Sequence, residues 1–194
     1  MLAPPVLFCL AYAACARPAG YVAALGAAWL AFGVATALLS GVDPPLALSV
    51  ALALVAIGSG SWLLARAVRG PVQASAPSDL LLGRLAITAA LVVALTTAAH
   101  GLPAHLAGLL ATFPIITPVL AGFTHVHVGA DAAIELLSGL VPALVCFLAF
   151  YATLAATLTS LGGPAAFGLA TAVTLALWAG LVAASGVSVA SRPS

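Results

Sequence analysis

The sequence predicts an all-α polytopic membrane protein: a single bundle of about seven spanning helices, N-terminus outside and C-terminus cytoplasmic. Three observations predict it. The first is composition: 64% of the 194 residues are hydrophobic and 5% are charged, against roughly 25% charged in a soluble domain. So few charges cannot cover a water-facing surface, and the surplus apolar area must face lipid. The second is a series of apolar runs near the ~20 residues that cross a bilayer core. The third is the placement of the arginines, which fall on one side of the membrane once the runs are numbered.

Segment 1, about 2–16, is short and opens on Pro4-Pro5; "ARPAG" at 16–20 breaks it. Segment 2 covers about 19–40 and is closed by "SGVDPP". Segment 3, about 46–68, contains "GSG" at 58–60. A polar linker, "RGPVQASAPSD", occupies 69–79, and segment 4 follows at about 80–99. "HGLP" at 100–103 turns the chain into segment 5, about 103–123, which carries Pro114 and Pro118. Segment 6, about 131–160, is long and contains Pro142; "LGGP" turns it into segment 7, about 164–189. Helices are the only suitable element, because open strands leave backbone groups unsatisfied in lipid and no barrel alternation appears. A six-span variant has segment 1 lying on the surface.

Arg17, Arg66, Arg69, Arg84 and Arg192 then share one side, which the positive-inside rule makes cytoplasmic. Segment 5 must cross for Arg192 to stay there. Gly20, Gly26, Gly33 and the "GSG" run are suited to close helix contact, which lipid itself does not drive. The stretch 7–42 is loosely echoed by 144–187, as an internal repeat or as a product of biased composition. Cys9, Cys15 and Cys146 sit in apolar runs without paired spacing and read as packing residues.

Net charge +1 and the absence of lysine exclude a nucleic-acid patch, Schiff-base chemistry and a lysine phosphate loop. No cofactor fingerprint appears. "GSGS" at 58–61 has Gly60 where an intramembrane serine protease needs its nucleophile, so the expectation is a non-enzyme without cofactor.

The candidate functional residues gather between 112 and 135. Pro114 and Pro118 free the carbonyls of Leu110 and Pro114, with Thr112 and Thr117 placed to help satisfy them. Broken helices of this kind expose carbonyls to ions or polar solutes in transporters; an ordinary kink is the plainer alternative. In an extended segment His125 and His127 would share a face and, with a carboxylate, could bind a first-row metal. Asp131 suits an N-cap or first-turn position in segment 6. Glu135 lies about one turn into that segment and Arg84 a similar depth into segment 4, so an Arg84–Glu135 or Arg84–Asp131 ion pair is expected.

The run "GLLATFPIITPVLAGFTHVHVG" at 108–129 resembles a segment of small bacterial inner-membrane proteins of the GlpM-like kind, through Gly108, Phe113, Pro114, His125 and Gly129. The resemblance implies a multi-pass protein of the bacterial inner membrane and no particular activity. Taken together, the residues favour small-solute or ion transport, with Thr112, Pro114, Thr117, Pro118 and Glu135 along the pathway. An accessory subunit without a pathway is the alternative, and metal binding at His125/His127 a third reading. The partner is the lipid bilayer, with a second copy or another membrane protein left open.

Overall fold

The computed structural model describes residues 2–41, 44–70 and 116–184, with helical positions at 86, 89, 90, 92–94, 96 and 97. Its elements are α1 (Ala3–Leu39), α2 (Leu46–Ala67), α3 (Ile116–His127), α4 (Ala130–Leu161) and α5 (Gly163–Ala184). The architecture is all-α, as the composition requires.

Helix α1 is two antiparallel rods. Gly20 interrupts it with φ 74° and ψ 178°. Phe8 and Trp29 then meet edge to face with centroids 5.4 Å apart; in a straight helix they would be about 31 Å apart. The halves 3–19 and 21–39 are about 25 and 28 Å long, close to the thickness of a bilayer core. Segments 1 and 2 are therefore a hairpin, broken at the last residue of "ARPAG". Pro18 lies within the first rod. The positive φ at Gly20 strongly disfavours a Cβ there.

The joints on either side of α4 are also short. Val128 and Gly129 (φ 122°, ψ 171°) separate α3 from α4, and Gly162 alone (φ 75°, ψ 166°) separates α4 from α5. Gly20 and Gly162 thus make nearly the same reversal, within the two stretches that echo each other in sequence.

Helix α4 packs against every other helix named here. The core beside it is built at helical spacing: Phe8, Tyr12 and Ala16 from the first rod, Ala24, Ala28 and Phe32 from the second, Ala53, Ile57, Gly60 and Leu64 from α2, and Ile134, Leu137 and Val141 from α4. Alanines let the rods approach. At Gly60 the approach is closest: a Cβ would run into the Val6 side chain and lie 3.5 Å from Val141 Cγ1. The expected close contact at "GSG" is real at Gly60. Gly26 and Gly33 correct that expectation, because both are exposed with open space around them.

The outer faces are also apolar. Val22, Leu30, Val34, Leu52, Val55, Phe147, Leu175 and Trp178 are exposed. A helix apolar all round belongs in lipid. Among the described residues, and counting α1 as one element, four helices are long and apolar enough to cross a membrane. The bounds of α2, α4 and α5 match the expected segments 3, 6 and 7 to within a few residues, as far as residue 184. The described positions of segment 4 are helical, with Thr96 and Thr97 hydroxyls donating to the Val92 and Val93 carbonyls at 2.8 Å.

One boundary differs. The apolar run of segment 5 ends near 123, but α3 continues to His127. The Val128 and Gly129 N–H groups then both donate to the Thr124 carbonyl, at 2.8 and 3.1 Å. Loss of hydrophobicity marks where a chain leaves the apolar layer; it does not stop backbone hydrogen bonding.

Candidate functional site

One end of the bundle collects its polarity. Every charged side chain among the described residues lies there: Arg17, Arg66, Arg69, Asp131 and Glu135. Arg17 ties the end together. Its Nε donates to Asp131 Oδ1 at 2.8 Å, its Nη2 lies 2.7 Å from the same oxygen in an ion pair, and Nη2 donates to the Ala67 carbonyl at 2.7 Å. One guanidinium thus joins the hairpin, the last turn of α2 and the first turn of α4. Ala67 ends α2, where carbonyls lack helical donors, and a basic side chain suits that position. Asp131 makes no side-chain cap; Gly129 is the N-cap and Asp131 is the first-turn acid, favoured by the helix dipole. Of the two roles expected for it, the second is the one present.

Beside this cluster, Tyr12 and His125 form a part-buried polar contact. Tyr12 is fully buried, and its hydroxyl lies 3.0 Å from His125 Nδ1 and 3.3 Å from the Ala121 carbonyl. Two arrangements satisfy this geometry. Either Tyr12 donates to Nδ1 and the imidazole carries its hydrogen on Nε2, or Nδ1–H donates to Tyr12 while Tyr12 donates to Ala121. Tyr21 stands over Gly122, with its ring edge-to-face to His125 at 6.3 Å. Thr124 is buried beside it on α3. His125 lies beyond the apolar run, and burial lowers its pKa.

His127 is exposed and stacks on Phe123 at 6.0 Å. Because the segment is helical rather than extended, the two imidazoles point about 200° apart. They take different partners, and no group of three or more His, Cys, Asp or Glu able to hold a metal occurs among the described residues. Thr117 is half-buried and Pro118 buried. Pro118 lines an open apolar groove of about 380 Å³ with Tyr21, Trp29, Gly122, Phe123 and His127. Thr112, Pro114 and Arg84 lie outside the described residues, and so do both pairings expected of Arg84. Glu135 is half-buried, one turn beyond Asp131, at the same end of the bundle.

Sequence reasoning missed Tyr12, Tyr21 and the role of Arg17. Tyr12 carried a signal: a phenol inside an apolar span needs a partner for its hydroxyl. Arg17 had been placed on the same side as Asp131 and was an available partner for it.

The lipid-facing surface and the long apolar helices define a multi-pass α-helical membrane protein. No family model, no curated protein and no solved structure matches the chain.

Proposed function

We propose that this chain is a non-enzymatic protein of the bacterial inner membrane that takes part in moving a small solute or ion, with proton handling at Tyr12 and His125. The observation that carries the reading is the 3.0 Å contact between the buried Tyr12 hydroxyl and half-buried His125 Nδ1, where α3 leaves the apolar layer. Ionisable side chains are costly inside a membrane protein, and pairs of them commonly mark proton relays. The two hydrogen-bond arrangements differ in which imidazole nitrogen holds the hydrogen, which is the change a relay needs. The short α3, with buried Pro118 lining an open groove, supplies a wall for a solute, and Tyr21 in that groove is edge-to-face with His125. In this reading the arginine-bearing end faces the cytoplasm. The GlpM-like resemblance of residues 108–129 is in keeping with the bacterial inner membrane.

The test is dissipation of an imposed pH gradient in proteoliposomes, followed with a trapped pH dye. The intact chain should collapse the gradient faster than empty vesicles, and Tyr12→Phe and His125→Gln should return the rate to the empty-vesicle level. A folded chain that leaves the gradient untouched, with and without a panel of small solutes, overturns the reading. The accessory-subunit alternative then stands. It is favoured by a separate observation: the core beside α4 is filled largely by alanine and aliphatic side chains.

A further inference from the structure

We propose that the chain carries a binding site for an anionic phospholipid at its arginine-bearing end, in the groove between the first rod of α1 and the last turns of α2. The groove has a volume of about 480 Å³ and is lined by Leu10, Ala13, Ala14, Leu63 and Leu64, with Arg17 and Arg69 at one end. Between Leu10 and Arg17 it runs about 10 Å along the bundle axis. The apolar part therefore points toward the membrane interior and the cationic part toward its surface. An anionic phospholipid has the same division, an acyl chain below and a phosphate above. Basic pockets between helices at the cytoplasmic face are suited to such headgroups.

The two arginines are differently placed for this. Arg17 spends Nε and Nη2 on Asp131 and the Ala67 carbonyl. Its Nη1 donors make no hydrogen bond among the described residues. Arg69 is exposed, and it too makes no hydrogen bond or ion pair among them. Arg17 is thus a fixed donor held by the fold, and Arg69 an exposed cation at the rim without a partner among the described residues. Nearby Arg66 is occupied differently, lying over the Trp62 ring at 3.5 Å from its centroid. Neither residue lines the groove. Arg66 is therefore an internal control for general surface charge.

The experiment uses the full chain, delipidated in detergent and titrated with phosphatidylglycerol, phosphatidylcholine or inorganic phosphate. Bound lipid is counted by native mass spectrometry. The expected result is tighter binding of phosphatidylglycerol than phosphatidylcholine, by at least about fivefold, the effect of one arginine near an anionic headgroup. Arg69→Gln should remove most of that preference, and Arg66→Gln should keep it. Leu63→Trp, which fills the groove from an exposed position, should weaken both lipids, and inorganic phosphate should not displace phosphatidylglycerol. Equal binding of the two lipids overturns the proposal. So does an Arg66→Gln loss as large as that of Arg69→Gln, or displacement by phosphate alone. If Leu63→Trp does not fold, Ala14→Phe places a ring in the same groove and is judged by the same criterion.

Discussion

Arg17 and Asp131, 114 positions apart in sequence, are joined by an Nε hydrogen bond of 2.8 Å and an Nη2 ion-pair contact of 2.7 Å onto one carboxylate oxygen. The pair is not a deep one, because the Asp131 side chain is 53% exposed. Exposed pairs couple by about 0.2–1 kcal/mol, so Asp131→Asn should cost no more than that. Arg17→Ala should cost more, roughly 1–2 kcal/mol, because it also strips the Ala67 carbonyl at the end of α2. Reversible unfolding in mixed detergent, with the double variant included, checks this. Equal losses from the two single variants would show that the Ala67 contact contributes nothing.

The hairpin depends on the backbone of Gly20, not on space around it. A Cβ there would meet nothing within 4 Å, yet φ is +74°. Gly20→Ala should therefore destabilise by roughly 1–3 kcal/mol, through its positive-φ extended backbone alone. Shortening neighbouring side chains should not rescue it. Thermal melting of Gly20→Ala with and without Tyr21→Ala reads this out.

Gly60 should behave in the opposite way. Its backbone is helical, and the obstacle is the Val6 side chain. Gly60→Ala should cost about 1–3 kcal/mol as overpacking, and Val6→Ala should recover much of it. Strict additivity of the two in a double-mutant cycle would contradict the contact.

Tyr12→Phe keeps the ring and deletes the hydroxyl that reaches His125 and Ala121. Interhelical hydrogen bonds in membrane proteins contribute about 0.6 kcal/mol on average and up to about 1.7, and the loss should fall in that range. Tyr12→Ala should exceed it, because it also empties a fully buried ring site.

The lowered pKa of His125 fixes a sign for pH dependence. The folded state holds the imidazole proton less tightly than the unfolded chain does. The stability linked to His125 is therefore complete above the ordinary histidine value and is lost as pH falls below it. Melting should move downward between about pH 7.5 and about pH 5.5. His125→Gln should flatten that part of the profile.

The class of fold was legible in the sequence because it follows from a sum. Too few charged groups and repeated apolar runs leave no soluble solution, and the bounds of α2, α4 and α5 follow from run length. The Arg17–Asp131 pair was less legible. Same-side reasoning put Arg17, Arg84 and Asp131 at one membrane face, but choosing between arginines requires knowing which helices touch. The hairpin at Gly20 was half legible: a break at "ARPAG" is local information, whereas the return of Trp29 onto Phe8 is a tertiary contact. His125 and His127 were read as if extended because the apolar run had ended, while the backbone stays helical to His127. Tyr12, which was not among the candidates, shows the limit most clearly. Its need for a partner could be read from one residue, and the partner, His125, could not.

The single-residue joints at Gly20 and Gly162 leave almost no slack between the rods they connect. A rod attached this way has little room to slide past its neighbour and moves mainly by swinging, like a blade on a pin. The pins sit at opposite ends of the bundle. The hairpin halves are held beside Arg17, so they part most readily at the far end. Helix α5 is held at that far end, so its greatest freedom is beside the charged cluster.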